Sequence, residues 1–521
     1  MRAKRASAYA ATAVLTAVLS AVLGAGPALA APAGTAAPGA PPTERASTSA
    51  GFPSIPAVRS FTPAAGTAAF VPGPGSRVVA PAGSAVEDEA RLLAEELRRP
   101  YVSGPAKPGD IALSLERSNA GPESYEMTSS ADGVTVRAGT DAGVFYGTRT
   151  LLQAVRSTGR VPAGTVEDRP DRPERGLMID IGRKYFSRAW LEARVRELGD
   201  LKYNQLHLHL SDDQGFRLQS DSHPEIVSSR HLSKEDIRAV VDLAAQRHIT
   251  VVPEIDSPGH MGAVLDAHPD LQLRSVDGTP VRGALDISRP GAADVVDDLL
   301  KEYAPLFPGA HWHVGGDEYG PLVADHPETS FPQLAAYARE RYGPDAGVAD
   351  AAAGWLNDRA ATLRSLGKRV EAWNDGFSGG ARVAADPDRV VAYWSSNKLR
   401  GRLPEDLLRE GRQLLNLNSW YLYYVLGAPE NFPYPSGRRI YEEWTPAVVY
   451  RDGAVPAALA GPDRILGARL AVWCDRADAQ TEDEVAAGIR MPLRALTQKL
   501  WDPGPPVLSW QDFSTLADRA G

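Results

Sequence analysis

The chain has 521 residues, 43% hydrophobic and 23% charged, a globular composition too long for one ordinary domain. Its formal charge is −9, and −12 once the first thirty residues, with three basic side chains and no acidic one, are set aside. That balance argues against nucleic acid or an anionic membrane as partner. Cys474 is the sole cysteine, so no intrachain disulfide forms and the fold rests on its core.

In chain order, residues 1–30 have the form of a secretory signal: Arg2, Lys4 and Arg5, an apolar run from Ala11 to Leu23, and Ala28-Leu29-Ala30 as a small-x-small cleavage site. The run is too short and alanine-rich for a spanning helix, and no cysteine near the cut suggests a lipid anchor, so a secreted, extracellular protein is expected. Residues 31–65, rich in Ala, Pro, Gly, Thr and Ser, read as a disordered linker. Residues 66–170 read as a small α/β domain. Its strands are expected near 78–79, 111–115, 125–128 and 134–138, with a turn at Asp132-Gly133, and its helices over 85–97 and 142–155.

From 171 to 505, apolar strands alternate with helical stretches such as 187–201, 233–247 and 292–303. Eight strands are expected, near 176–182, 205–210, 249–255, 311–315, 369–373, 390–394, 414–418 and 466–473. This count predicts a closed (β/α)₈ TIM barrel. The competing open doubly wound sheet lacks its glycine-rich phosphate loop after the first strand. Residues 506–521 are left as a C-terminal tail.

In such a barrel, function sits at the strand C-termini. The fourth strand runs through His311-Trp312-His313-Val314 into Gly315-Gly316-Asp317-Glu318-Tyr319. Adjacent acids on a regular strand point to opposite faces, but two glycines let the backbone bend so that both face one pocket. Paired carboxylates in different environments are what acid/base work at a glycosidic bond requires. Other strand ends hold Asp180 and Arg183, His207 to Asp212, Glu254-Ile255-Asp256 and His260, Trp373-Asn374-Asp375, Trp394, Trp420 to Tyr423, and Trp473-Cys474-Asp475. An Asp180–Arg183 pair is as consistent with scaffold as with function, and a single tryptophan is usually core. Tryptophans at successive strand ends beside acids point instead to sugar rings.

The run Asn204 to Arg217, the segment Pro253-Glu254-Ile255-Asp256-Ser257-Pro258-Gly259-His260 and the segment His313 to Glu318 resemble glycoside hydrolase family 20, the β-N-acetylhexosaminidases and lacto-N-biosidases. Ser124-Tyr125 and Gly143 to Gly147 resemble the small domain that precedes the family's barrel. The resemblance implies a retaining mechanism without an enzyme nucleophile, in which the substrate's 2-acetamido oxygen attacks and an oxazolinium ion forms. It assigns Asp317 to orienting the acetamide, Glu318 to proton donation, and Tyr421 to a hydrogen bond on the acetamide oxygen. Glu318 is then expected to hold its acidity near the working pH. Trp373, Trp394 and Trp473 match the aromatic walls, Arg175 the arginine on the ring hydroxyls, and Asp212 with His260 a support network for Glu318. No cofactor or metal is implied, and the expected partner is a glycan ending in N-acetylhexosamine.

Two positions depart from the commonest hexosaminidase pattern: Tyr423 where many members have Asp, and Asp475 where many have Glu. Both bear on the outer hydroxyls, so release of a Gal-GlcNAc disaccharide stands as the alternative to removal of single GlcNAc. From the residues alone, two other classes remain. His207-x-His209 and His311-x-His313 each put two imidazoles on one strand face, as in a metal-dependent barrel hydrolase. A non-catalytic carbohydrate-binding protein would have little use for Asp317 and Glu318 together.

Overall fold

The computed structural model describes residues 51–521 apart from 118–119, 378, 397–400, 428 and 430. The expected signal, 1–30, and the first part of the expected linker, 31–50, lie outside the described residues. Among those described, no helix is long and apolar enough to cross a membrane.

The small domain begins earlier than its composition suggested. Phe52, Ile55, Val58 and Phe61 recur every third residue and are all buried, and Ser60–Pro63 is a strand paired antiparallel with Gly164–Asp168. Side chains complete this segment's backbone bonding: the Gln153 amide accepts from Ile55 N and donates to Ile55 O, and Gln498 accepts from Ala57 N. Four anchors amid Pro, Ala and Ser thus order what reads as linker. The seven-stranded sheet runs Ser60–Pro63, Gly164–Asp168, Tyr125–Ser130, Gly133–Ala138, Asp110–Leu115, Val78–Ala80, Tyr101–Ser103. Helices Glu87–Leu97 and Asp141–Thr158 cover it. Gly147 lets the second helix settle close, since a Cβ there would lie 2.4 Å from Val136 Cγ1.

All eight expected barrel strands are present: Glu174–Asp180, Gln205–His209, Thr250–Glu254, His311–His313, Arg369–Trp373, Val390–Tyr393, Leu414–Asn416 and Ile465–Trp473. Each pairs parallel with the next, and the last pairs with the first from Gly467↔Glu174 to Val472↔Ile179, closing the barrel. The seventh strand stops at Asn416, and after one helical turn, Ser419–Leu422, the segment Tyr423–Val425 resumes pairing on the last strand at Ala471–Trp473. The expected tail is a helix, Trp510–Ala520, capped by Ser509 and burying Phe513, Ala517 and Ala520. Its apolar side chains fall on one face, which terminal position concealed.

Ionic contacts join the two domains at the barrel's N-terminal end. Arg175 pairs with Glu123 at 2.8 Å and donates to Tyr146 Oη, while Lys202 pairs with Asp168 at 3.2 Å and Trp501 Nε1 donates to Asp168. Higher up, the barrel axis holds charge where such interiors usually hold branched apolar residues. Arg469 pairs with Glu371 at 2.6 Å and lies 3.3 Å from His207, and His207 lies 2.9 Å from Glu254.

Candidate active site

A glycine turn builds the site. Gly315 and Gly316 adopt φ of 71° and 92°, and Glu318 one of 47°, in the left-handed region that side chains other than glycine rarely enter. A Cβ on Gly315 would lie 1.7 Å from Asp256 Oδ1, so only glycine fits there. His313 Nδ1 accepts the Gly315 N–H at 3.1 Å and Asp256 Oδ1 accepts the Gly316 N–H at 2.9 Å. The turn abolishes strand alternation. His260 Nε2 consequently lies within reach of both acids, 3.6 Å from Asp317 Oδ2 and 3.5 Å from Glu318 Oε2. Asp317 is buried, whereas the Glu318 side chain is 52% exposed at the mouth.

Carboxylates and cations alternate around this pair. His260 Nδ1 lies 3.4 Å from Asp212 Oδ1, and Asp212 also meets Arg183 at 2.8 Å and His209 Nε2 at 2.9 Å. Burial opposes charge on His260, but Asp317, Asp212 and Glu318 outweigh it and hold its pKa well above the ordinary value. In return the His260 hydrogen bond and charge pull Glu318 below the usual carboxylate range. In the free site its imidazole neighbour therefore favours the ionised form of Glu318. Burial, then the charge of Asp317, keeps Asp256 protonated well above its ordinary range, and burial with Asp317 and Glu318 pushes Asp375 up to about 8.

Aromatic rings enclose the acids. Trp394 and Tyr423 stack with centroids 5.9 Å apart and planes 5° apart; Tyr423 is 5.9 Å from Trp473, and Trp473 5.7 Å from Trp373. Trp373 is fully buried and donates Nε1 to Glu254 at 2.6 Å, so it forms the floor. Several buried polar atoms here lack a well-formed hydrogen bond, among them Asp256 Oδ2, His260 Nε2, Asp317 Oδ1, Asp375 Oδ2, Trp394 Nε1 and Trp473 Nε1. Buried polar atoms are nearly always paired, so this group marks a place for a polar ligand.

Sequence profiles for glycosyl hydrolase family 20 match this chain twice, the catalytic domain over residues 173–503 and domain 2 over 53–169. The chain belongs to glycoside hydrolase family 20. It is 30% identical over 466 residues to a lacto-N-biosidase of Bifidobacterium bifidum, covering 88% of this chain but 40% of that protein, so it spans well under half of that relative's length. It is 29% identical over 452 residues to a β-N-acetylhexosaminidase of Cellulomonas fimi, covering 81% of this chain and 83% of that one. The solved family 20 β-N-acetylhexosaminidase of Streptomyces coelicolor A3(2) is similar with a TM-score of 0.70 at 25% identity, over 89% of this chain and 94% of that one.

This family 20 site differs from the sequence reading at two residues. Arg175 enters the first strand, as its place in the sequence indicates, but its guanidinium is fully buried against Glu123 and Tyr146 at the end of the barrel opposite the acids, not on the sugar hydroxyls where the resemblance put it. Arg183 stands at the mouth instead, bonded to Asp180 at 2.9 Å and Asp212 at 2.8 Å, with its guanidinium 5.2 Å over the Trp473 ring. Tyr421 lies in the single helical turn, its ring 4.0 Å from the Arg439 guanidinium and its hydroxyl 3.5 Å from Glu443. Tyr423 opens the following strand, which turns it into the ring of tryptophans beside Asp317. Asp475 is exposed on the rim beyond Trp473, where its charge favours that of Arg183.

The sequence reading did not assign roles to Arg183, His209, Glu254, Asp256 or Asp375, although all lie in or beside the motifs at strand ends. His207, Glu254 and His313 are close enough to hold a metal, with donor atoms within 4.8 Å. Glu254 instead takes Trp373 Nε1 and His209 Nδ1 as hydrogen-bond donors.

Proposed function

We propose that this chain is a secreted exo-glycosidase that removes single terminal β-linked N-acetylhexosamine, chiefly N-acetylglucosamine, with retention and with the substrate's acetamide as nucleophile. The observation that carries this is the glycine turn, which sets Asp317 and Glu318 against one imidazole, the first buried and the second at the mouth. An inward carboxylate suits an acetamide N–H, while an outward one suits the leaving oxygen. The acetamide oxygen attacks the anomeric carbon as the glycosidic bond breaks, and Glu318 gives its proton to the departing oxygen. Asp317 accepts the acetamide N–H and balances the positive charge of the oxazolinium. Water then attacks the same carbon as the acetamide oxygen leaves it and the ring reopens, and the Glu318 carboxylate takes the water's proton.

Glu318 must be protonated at the start, and sugar binding provides for this. Covering an exposed carboxylate removes water from its charged form and raises its pKa. Tyr423 is packed between Trp394, Phe432 and Trp473, and a bulky ring held at that position supports single-sugar release. The similarity to the Cellulomonas fimi protein over most of both chains agrees with it. The basic, apolar and small-residue order of residues 1–30 supports secretion.

The test is to incubate the enzyme with a GlcNAc-terminated oligosaccharide and with lacto-N-tetraose, and separately with a thiazoline analogue of the intermediate. Free GlcNAc from the first, no disaccharide from the second and tight thiazoline inhibition are expected. Intact Gal-GlcNAc from lacto-N-tetraose alone would replace the substrate, and weak thiazoline binding would remove the mechanism.

A further inference from the structure

Both ring nitrogens of His209 face carboxylates: Nδ1 lies 2.8 Å from Glu254 Oε2 and Nε2 2.9 Å from Asp212 Oδ2. A neutral imidazole would turn one lone pair toward a carboxylate at that distance, so the geometry suits a ring that donates from both sides. His260 repeats the arrangement one layer out, between Asp212 at 3.4 Å and the pair Asp317 and Glu318 at 3.6 and 3.5 Å. Charges therefore alternate from the barrel interior to the mouth: Glu254, His209, Asp212, His260, Glu318. Glu254 and His209 are 0% and 1% exposed, beyond reach of any sugar.

We propose that Glu254 and His209 are positioning residues for the reaction: they clamp Asp212, and through Asp212 they keep the His260 ring oriented and protonated against Asp317 and Glu318. This rests on the role given to Glu318 above and extends it two residues into the barrel.

The surroundings fit. Glu254 faces His207 and His209 from the second strand, His313 from the fourth and Trp373 Nε1 from the fifth. His209 faces Glu254 and Asp212, has Asp180 of the first strand as a further negative neighbour, and meets the edge of Trp473 on the last at 5.1 Å. Asp212 has a second clamp in Arg183, which also holds Asp180. Burial alone would strip the charge from His209, yet Glu254 and Asp212 raise its pKa well above the ordinary value, and Glu254 falls well below its own despite full burial. Buried charge of this extent is seldom the most stable way to fill a core, so stability alone does not explain it.

Glu254→Gln keeps the shape and removes the charge. The turnover number should fall about tenfold with KM within about twofold, and the alkaline limb of the pH–rate profile should move down by about one unit. A purely structural role would lower the melting temperature and leave the profile in place, which would overturn the proposal. His209→Gln breaks the same clamp on Asp212, should likewise lower turnover with KM little changed, and serves if the first variant does not fold. A readout independent of activity is ¹⁵N-histidine NMR of the wild type, where His209 and His260 should both remain doubly protonated at pH 7.5. An ordinary imidazole titration of His209 would overturn the inference whatever the substrate is, whereas absent hydrolysis of any N-acetylglucosaminide would overturn only the proposed function.

Discussion

The two ends of the barrel use the same kinds of residue to opposite effect. At the N-terminal end, Arg175, Glu123, Lys202, Asp168 and Trp501 lie at a domain junction, and each charged or indole group finds a partner at 2.8 to 3.2 Å. At the C-terminal end, Arg183, Asp212, His260, Asp317, Glu318 and Asp375 stand among tryptophans, and Asp317 Oδ1, Asp375 Oδ2, Trp394 Nε1 and Trp473 Nε1 lack a well-formed hydrogen bond. Buried polar groups that are complete join two bodies, and those that are incomplete await a ligand.

The strongest way to break this contrast is Glu318→Gln. On an oligosaccharide the turnover should fall by about 10³, within the range for losing a general acid, and by much less on a nitrophenyl glycoside whose leaving group needs no proton. Equal losses on both would detach Glu318 from proton donation.

The next test exchanges the two arginines' roles. Arg183→Met should lower kcat/KM by about a hundredfold, because it frees Asp180 and Asp212 beneath the pocket. Arg175→Met removes one partner of a buried pair, for which about 3–5 kcal/mol is usual. It should therefore drop the melting temperature by several degrees while the folded fraction keeps near-normal kinetics. If Arg175→Met lost activity without losing stability, the original assignment of Arg175 to the sugar would return.

A smaller effect is expected at Asp375, whose carboxyl is pushed up to about 8 by burial and by Asp317 and Glu318. It is neutral at pH 6, so Asp375→Asn should stay within about threefold of wild type there. Above pH 8 the wild type gains a charge beside Asp317 and Glu318 and the variant does not, so the variant should keep activity to higher pH. Identical pH profiles would mean that Asp375 does not titrate in this range.

The smallest effect sits at the domain junction. Glu89 is held up to about 7, by burial first, while His248 Nε2 lies 2.8 Å from it. Its folded pKa exceeds the unfolded value of about 4.3, so the folded state binds more protons and stability declines as pH rises between those values. Glu89→Gln should therefore melt about a degree above wild type at pH 8 and no higher at pH 4. A constant difference across that range would place the effect elsewhere.

Much of this was legible without coordinates. Strand existence follows from apolar runs bounded by polar ends, which is why all eight barrel strands and the paired acids at Asp317 and Glu318 were found. Patterns with few anchors hid the rest. Phe52, Ile55, Val58 and Phe61 order a segment whose composition is that of a linker, and Trp510–Ala520 is a helix at a position where disorder is the usual expectation.

By itself the sequence determined the family, the barrel and the position of the adjacent acids at the fourth strand's end, because those depend on local periodicity and on motifs whose members are neighbours in the chain. Only the tertiary structure decided which side chain faces the pocket and which charges meet. Tyr421 and Tyr423 differ by one helical turn that ends between them, and Arg175 and Arg183 by the length of one strand, distances that motif spacing does not convert into direction. The column from Glu254 through His209 and Asp212 to His260 is built from contacts between residues up to 48 positions apart, and their charge states follow from mutual burial. No single residue's chemistry contains that information, since a pKa inside a core is set by what the fold brings beside it.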